Sequence, residues 1–148
     1  MAGSKRLKIA FQGEPGAFSH IAARRLAGDD CRAVPFQTFE EIFQAVAQGR
    51  CEGAAVPIEN TLHGSVHENY DLLLKYDLPI RAEAFVRIVH NLLAPPGVRF
   101  GQIKRAFSHP VALNQCKKFF EDHPAIAKTP FYDTAGSCLL YTSPSPRD

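Results

Sequence analysis

An apolar run that ends in three polar side chains is the part of the chain best suited to chemistry. In E-G-A-A-V-P-I-E-N-T-L-H-G-S-V, residues 52–66, the run leads into Glu59, Asn60 and Thr61, and Ser65 precedes a helical pattern. Ligands of open α/β sheets bind beyond the carboxyl ends of strands. These side chains therefore predict one wall of a small-molecule site. The alternative, which stays open, is a helix cap after a core strand.

Three other places along the chain also join a strand pattern to a helix pattern through small polar residues. They read G-E-P-G-A-F-S-H-I-A-A (13–23), S-H-P-V-A-L-N-Q-C (108–116) and Y-D-T-A-G-S (132–137). Backbone N–H groups and hydroxyls at helix N-termini suit the binding of carboxylates. Capping alone could explain each place, although Pro110 already suits a first helical turn and weakens that alternative for Ser108.

These four segments, in this order and at this spacing, resemble the prephenate dehydratase family over about residues 7–137. The resemblance implies decarboxylating dehydration of prephenate to phenylpyruvate in phenylalanine biosynthesis, with no cofactor and no metal. It implies catalytic roles for Glu59, Asn60, Ser108 and Gln115. The residues that it implies for substrate binding are Gly16, Phe18, Ser19, Thr61, Ser65, His109, Thr134 and Ala135. His20 and His63 are expected to be ordinary solvated or core histidines.

The proton donor of the family is a threonine in a Thr-Arg-Phe motif, and no such motif occurs in the 148 residues. Neither Thr61 nor Thr134 matches that role. The chain is therefore expected to retain binding groups, to lack the expected acid, and to have little activity. General acid catalysis is typically worth about 10²–10⁴-fold in rate.

The segment that follows Ser137, C-L-L-Y-T-S-P-S-P-R-D, breaks the helix pattern before it and holds two prolines within three residues. Proline interrupts a helix, and one DNA sequence that encodes this segment resembles a transposon-end sequencing adapter. We interpret 138–148 as a foreign tail on a truncated dehydratase domain, residues 1–137. A genuine, divergent C-terminus is the alternative.

Alternating strand and helix patterns predict an α/β fold with mostly parallel sheets. The resemblance implies a two-lobed architecture, similar to type II periplasmic binding proteins and incomplete here, with lobe one at about 7–80 and lobe two at about 81–137. Strands are predicted at 8–12, 33–36, 52–58, 80–93, 103–107 and 125–132. Helices are predicted at 18–28, from Thr38 to Gly49, at 67–75 with Tyr70, Leu73 and Leu74 as its apolar side, and at 110–123.

Composition excludes several classes of protein. The chain is 45% hydrophobic and 22% charged with a net charge of +2, values typical of a globular domain and too weakly basic to indicate nucleic acid binding. No apolar run is long enough for a membrane span, and the N-terminus lacks a secretory pattern, which predicts a cytoplasmic protein. The four cysteines lack metal-site spacing. Three of them are read as ordinary reduced residues, and Cys138 lies in the segment that we interpret as a foreign tail.

Two further hypotheses stay open beside the enzyme. One is a binding module of the same fold that captures a small molecule without chemistry. The other is a non-functional gene fragment of the enzyme. The full-length protein is expected to be a homo-oligomer.

Overall fold

The computed structural model describes residues 6–62 and 64–142, with backbone alone at 141 and 142. The chain forms two compact units, Met1–Arg87 and Ile88–Asp148. The boundary lies a few residues beyond the predicted lobe boundary near residue 80.

The first unit is built on a parallel three-stranded sheet. Strand β1 (Lys8–Gln12) lies in the centre, between β2 (Arg32–Phe36) and β3 (Gly53–Ala55), in the order β2-β1-β3. Successive side chains of a strand point to opposite faces, so Ile9 and Phe11 of β1 join one core cluster and Ala10, between them, joins another. The predicted α/β fold with parallel strands is therefore confirmed.

Helices cover both faces of this sheet. Helix α1 (Phe18–Ala27) packs Ala23 against the face that carries Ile9 and Phe11. Helix α2 (Phe39–Ala47) packs Ile42 and Ala45 against Ala10. At the start of α2 the Thr38 side chain accepts from the Glu41 N–H while the Glu41 carboxylate accepts from the Thr38 N–H. This capping box satisfies otherwise unpaired helix amides.

A short hairpin and a third helix follow β3. Strand β4 (Glu59–Asn60) pairs antiparallel with β5 (Gly64–Ser65), and α3 (His67–Tyr76) comes next. The prediction that Ser65 caps α3 is wrong, because Ser65 lies in β5 and Val66 occupies the N-cap position. The predicted strand at 52–58 is shorter, because only Gly53–Ala55 finds a partner in β1.

The predicted apolar side of α3 is also wrong in part. Tyr70 is 42% exposed and Leu74 is 83% exposed, whereas Asn69 and Leu72 are buried. Lys75 donates to the Glu40 Oε1 atom at 2.9 Å, and the Tyr76 hydroxyl donates to the same oxygen. These contacts join α3 to α2.

The second unit contains two parallel strands, β6 (Arg105–Ser108) and β7 (Ala127–Pro130). Where one helix was predicted at 110–123, two short helices form, α4 (Pro110–Gln115) and α5 (Lys117–Asp122). Cys116 separates them, because its backbone leaves the helical region at φ −93° and ψ 24°.

The core of the second unit is small. It consists of Leu113, Phe120 and Ile126, with partly buried neighbours that include Phe119. Short 3-10 helices form at Phe100–Gln102 and Gly136–Cys138.

The strand predicted at 80–93 is not present, because this segment has no partner strand among the described residues. A strand is stabilised by its ladder of hydrogen bonds to a neighbour. The predicted alternation is kept in part, since Ala84, Val86 and His90 are partly buried between exposed residues. Within the first unit, the Arg25 guanidinium donates to the Phe85 carbonyl at the end of this segment.

A last helical turn, α6 (Leu139–Thr142), precedes the prolines of the predicted tail. Leu139 and Leu140 are 45% and 46% exposed. The rest of the segment, 143–148, lies outside the described residues, and its foreign origin stays a prediction.

Candidate functional site

The β4–β5 hairpin holds four of the predicted site residues at the exit of the first sheet, with Glu59, Asn60 and Ser65 in its strands and Thr61 in its turn. Glu59 lies opposite Ser65 in the antiparallel pairing, and both are exposed. Asn60 lies opposite Gly64, whose φ of 78° suits glycine. The Asn60 Oδ1 atom accepts from the Leu62 N–H at 2.9 Å. That bond shapes the turn and leaves the amide nitrogen as the part of Asn60 that can donate to a ligand.

A buried asparagine anchors the chain just before this hairpin. Asn69 of α3 is fully buried, and its Nδ2 atom donates to the Pro57 carbonyl at 2.8 Å. Its Oδ1 atom has no hydrogen-bond partner among the described residues. The contact fixes where β4 begins, and so positions Glu59 and Asn60 relative to the helix.

The entrance to α1 carries Gly16, Phe18 and Ser19. The Gly16 N–H donates to the Nδ1 atom of His20 at 3.0 Å, so this amide is already engaged within the chain. The His20 ring stacks on buried Phe11, with 5.1 Å between centroids. Phe18 and Ser19 lie partly buried in the first turn of α1, and Ala17 occupies the N-cap without a side-chain cap. An anion at this junction would be bound by the amides of that turn.

The residues at the entrance to α1 and those of the β4–β5 hairpin follow neighbouring strands of the same sheet. α1 follows β1 and the hairpin follows β3, and these strands are parallel neighbours. The carboxyl ends of neighbouring parallel strands meet at one edge of the sheet, where ligands of such folds bind. The first unit therefore places the residues of two predicted segments at a common edge.

In the second unit the structure brings two predicted residues into contact. The Ser108 hydroxyl, at the carboxyl end of β6, donates to the Thr134 Oγ1 atom at 3.4 Å. The Phe131 N–H donates to the Ser108 carbonyl at 2.9 Å and extends the pairing with the chain after β7. The two hydroxyls form a polar pair at the carboxyl edge of this sheet.

The turn around Thr134 is held by its own neighbours. The Asp133 carboxylate accepts from the Gly136 N–H at 2.6 Å, and the Asp133 carbonyl accepts from the Ser137 hydroxyl at 2.8 Å. A Cβ atom at Gly136 would lie 2.7 Å from the Tyr132 hydroxyl, which explains the glycine. Thr134 and Ala135 therefore lie in a closely packed turn.

His109 and Gln115 mark the two ends of α4. His109 is the N-cap residue, and its Nδ1 atom accepts from the Val111 N–H at 3.3 Å, so its side chain shapes the start of the helix. Its role in substrate binding stays a prediction. The Gln115 Oε1 atom lies 2.7 Å from the Nε2 atom of His90.

Two cysteine thiols, one in each unit, have raised pKa values. Burial raises the pKa of the Cys116 thiol beside Gln115, with a smaller opposing effect of Lys128. Burial also raises the pKa of Cys51. Both are therefore protonated thiols at neutral pH.

Two surface pockets lie away from these groups. One, of about 270 Å³, is lined by residues that include Phe100, Lys104 and His123. The other, of about 500 Å³, lies along α1 beside Arg24 and Arg25. Neither is lined by a predicted site residue. Among residues 6–62 and 64–142, no His, Cys, Asp and Glu side chains cluster as a metal site requires, and no helix is long and apolar enough to cross a membrane.

The sequence model of the prephenate dehydratase family matches residues 9–145. The chain belongs to the prephenate dehydratase family. Curated relatives agree with this assignment. The chain is 42% identical over 149 aligned residues to arogenate dehydratase/prephenate dehydratase 6, chloroplastic, of Arabidopsis thaliana. The alignment covers 100% of this chain and 36% of that protein. It is 47% identical over 112 residues to arogenate dehydratase 2 of Petunia hybrida, covering 76% of this chain and 28% of that protein.

Solved structures of similar proteins confirm the fold. A prephenate dehydratase from Arthrobacter aurescens in complex with L-Phe is similar at a TM-score of 0.70 and 26% identity, over 93% of this chain and 46% of that one. A quorum-quenching acylase, GqqA, is similar at a TM-score of 0.78 and 36% identity, over 90% of this chain and 48% of that one. The chain thus spans less than half the length of these family-like proteins.

Sequence reasoning missed two polar residues of this prephenate dehydratase family member. Asn69 was not singled out, because its partner, the Pro57 carbonyl, lies 12 positions away in the sequence. His90 was not singled out either, because it lies in the segment predicted as a strand and its partner Gln115 lies 25 positions away. His63 lies outside the described residues.

Proposed function

We propose that this chain supplies substrate-binding groups for the decarboxylating dehydration of prephenate to phenylpyruvate. The observation that carries the proposal is the contact between the Ser108 and Thr134 hydroxyls. It joins two of the four sequence segments on which the family resemblance rests. Both lie at the carboxyl edge of a parallel sheet, where small ligands bind in such folds.

The reaction requires groups that bind the two carboxylates of prephenate, and it does not require an activated nucleophile. In the reaction the ring carboxylate leaves as carbon dioxide and its bonding electrons enter the ring. The ring hydroxyl leaves as water after taking one proton, and the ring becomes aromatic. Hydroxyls such as those of Ser108 and Thr134, and helix N-terminal amides, can orient the two carboxylates of prephenate. Glu59 and Asn60 can contact the hydroxyl that leaves.

The proton donor is a separate requirement. The resemblance assigns it to the threonine of a Thr-Arg-Phe motif that these 148 residues do not contain. We therefore propose that the chain binds prephenate weakly and turns it over slowly. The non-catalytic binding module remains the alternative function.

Prephenate and arogenate differ at one group of the side chain, which is a keto group in prephenate and an ammonium group in arogenate. Several relatives are named arogenate dehydratases. We propose prephenate as the substrate. A carboxylate beside that side chain would favour arogenate, whereas Glu59, an exposed carboxylate in the hairpin, is proposed above to contact the leaving hydroxyl at the opposite end of the ring.

The test is a titration of the 148-residue chain with prephenate and with arogenate, followed by calorimetry. Ser108→Ala should weaken prephenate binding by about tenfold to a hundredfold, as expected for one hydrogen bond to a charged group. Thr129→Val, which removes a hydroxyl from β7 of the same sheet, is the matched control and should bind like the parent chain. Equal binding by parent chain and Ser108→Ala would contradict the site.

Turnover is measured alongside binding, by phenylpyruvate appearance at a pH where spontaneous aromatisation is slow. Binding without turnover above the uncatalysed rate would favour the binding module. Tighter binding of arogenate would reassign the substrate. Hydrolysis of an acyl amide without prephenate binding would instead favour an activity like that of the acylase noted above.

We also propose a cytoplasmic location and, for the full-length protein, a homo-oligomer. Cell fractionation and the sedimentation of the full-length gene product test these two proposals.

A further inference from the structure

A histidine that lies outside the predicted site contacts one of its residues. His90 lies in the extended segment before α4, and its Nε2 atom is 2.7 Å from the Oε1 atom of Gln115. Both side chains are partly buried. Twenty-five residues of chain separate them, so the contact depends on the tertiary fold of this unit.

The identity of the two atoms fixes where the proton lies. A side-chain carbonyl oxygen can only accept a hydrogen bond, so the His90 Nε2 atom must carry the hydrogen. With its oxygen engaged by His90, the Gln115 amide is left with its two N–H donors to offer. If His90 held its proton on Nδ1 alone, the bare Nε2 would accept from the amide instead, and Gln115 would offer its oxygen.

The difference matters for the ligand that Gln115 can bind. A carboxylate accepts hydrogen bonds and repels a carbonyl oxygen. A Gln115 side chain that presents N–H donors suits a carboxylate, whereas the opposite orientation does not. The proton on His90 thus decides which of these two surfaces Gln115 presents.

We propose that His90 is a positioning residue that orients the Gln115 amide so that its N–H groups face a substrate carboxylate. The inference rests on the function proposed above for its ligand. The hydrogen bond itself does not depend on that function. A purely structural contact, which only ties the extended segment to α4, is the competing explanation.

The first measurement needs no ligand. Long-range ¹H–¹⁵N spectra of the labelled 148-residue chain at mildly alkaline pH report which ring nitrogen of His90 carries hydrogen. The expected result is a protonated Nε2. A bare Nε2 would overturn the proposal whatever the protein binds.

The second measurement uses prephenate as the probe and compares three variants by calorimetry. His90→Leu removes the donor and should weaken binding by about threefold to tenfold. His90→Gln places an amide donor near the same position and should restore binding to within about twofold of the parent chain. Gln115→Glu keeps an acceptor for His90 but loses the N–H donors, and should weaken binding at least as much as His90→Leu.

Exposed His67, at the start of α3 in the other unit, provides the control variant His67→Leu, which should bind like the parent chain. Parent-like binding by His90→Leu would overturn the proposal, and so would failure of His90→Gln to restore binding while its melting temperature is unchanged. If His90→Leu does not fold, the ring-nitrogen spectra and His90→Gln decide. If the parent chain binds no prephenate, the proposed function fails, and the spectra alone judge the orientation of Gln115.

Discussion

The two units support their site residues with very different amounts of core. In the first unit, β1 lies between two parallel neighbours and both faces of the sheet are covered by helices. In the described part of the second unit, two strands rest on a smaller core cluster, formed by Leu113, Phe120 and Ile126. Sheets of two strands are marginal unless other elements pack on them. Similar polar residues at strand ends are thus positioned by a larger core in one unit and by a smaller core in the other.

Local hydrogen bonds compensate for the smaller core of the second unit. Its Thr134 turn is held by the carboxylate and carbonyl of Asp133, and Gln115 is held by His90. The hairpin of the first unit also has a local bond, from the Leu62 N–H to Asn60, and is in addition anchored by the buried amide of Asn69. Removing core should therefore disturb the first unit most, and removing single polar contacts should disturb the second unit locally.

Truncating one phenylalanine in each core gives the largest expected difference between the units. Phe11 is 1% exposed and Phe120 is 9% exposed. Phe11→Ala should cost about 3–5 kcal/mol of unfolding free energy, the range for fully buried phenylalanines. Phe120→Ala should cost less, because the smaller core around it can relax. Urea unfolding followed by circular dichroism measures both, and a larger loss for Phe120→Ala would reverse the comparison.

A charge placed at Asn69 should have an effect of similar size but a different cause. Asn69→Asp loses the donor to Pro57 and buries a carboxylate against the Pro57 carbonyl oxygen, which should cost about 3–5 kcal/mol of unfolding free energy in the same urea experiment.

Asn69→Leu tests the role of the Asn69 hydrogen bond in positioning the hairpin separately from its role in overall stability. It removes one hydrogen bond together with one unpaired buried oxygen, so unfolding free energy should change by about 1 kcal/mol or less. The β4–β5 hairpin should nevertheless exchange its amide hydrogens faster, because its anchor is gone. Unchanged exchange in the hairpin would show that Asn69 does not position it.

The sequence predicted elements best where the signal is local. The bounds of β1 follow from a short apolar run, and the start of α2 follows from the spacing of Thr38 and Glu41. The strand predicted at 80–93 depends on a partner strand, and the helix predicted at 110–123 breaks at Cys116. Neither the missing partner strand nor the break at Cys116 can be recognised from a few neighbouring residues of sequence.

The candidate site shows the same limit. Its motif residues could be predicted because their types and spacing are unusual at strand ends. Asn69 and His90 could not, because each matters through a partner distant in sequence, Pro57 for one and Gln115 for the other. The buried side of α3 was misjudged for this reason, since a polar residue becomes suitable for burial only when its partner is known.

The smallest expected effect is a pH dependence of the contact between α2 and α3. Hydrogen bonds from Lys75 and from Tyr76 lower the pKa of Glu40. A carboxylate whose pKa is lower in the folded state adds stability above its unfolded pKa, and that stability is lost as pH falls through the folded value. Urea unfolding between about pH 7 and pH 3 should therefore show a steeper loss for the parent chain than for Glu40→Gln. Parallel curves would show that the exposed contact contributes nothing measurable.

The contact between Gly16 and His20 has a consequence for the hydrogen positions on two histidine rings. The Gly16 N–H needs a bare Nδ1 on His20, whereas Gln115 needs a hydrogen on the Nε2 of His90. A neutral imidazole with its hydrogen on Nε2 meets both demands. The same tautomer therefore serves a backbone amide in one unit and a side-chain amide in the other, and the ring-nitrogen spectra of His20 and His90 should show the same pattern.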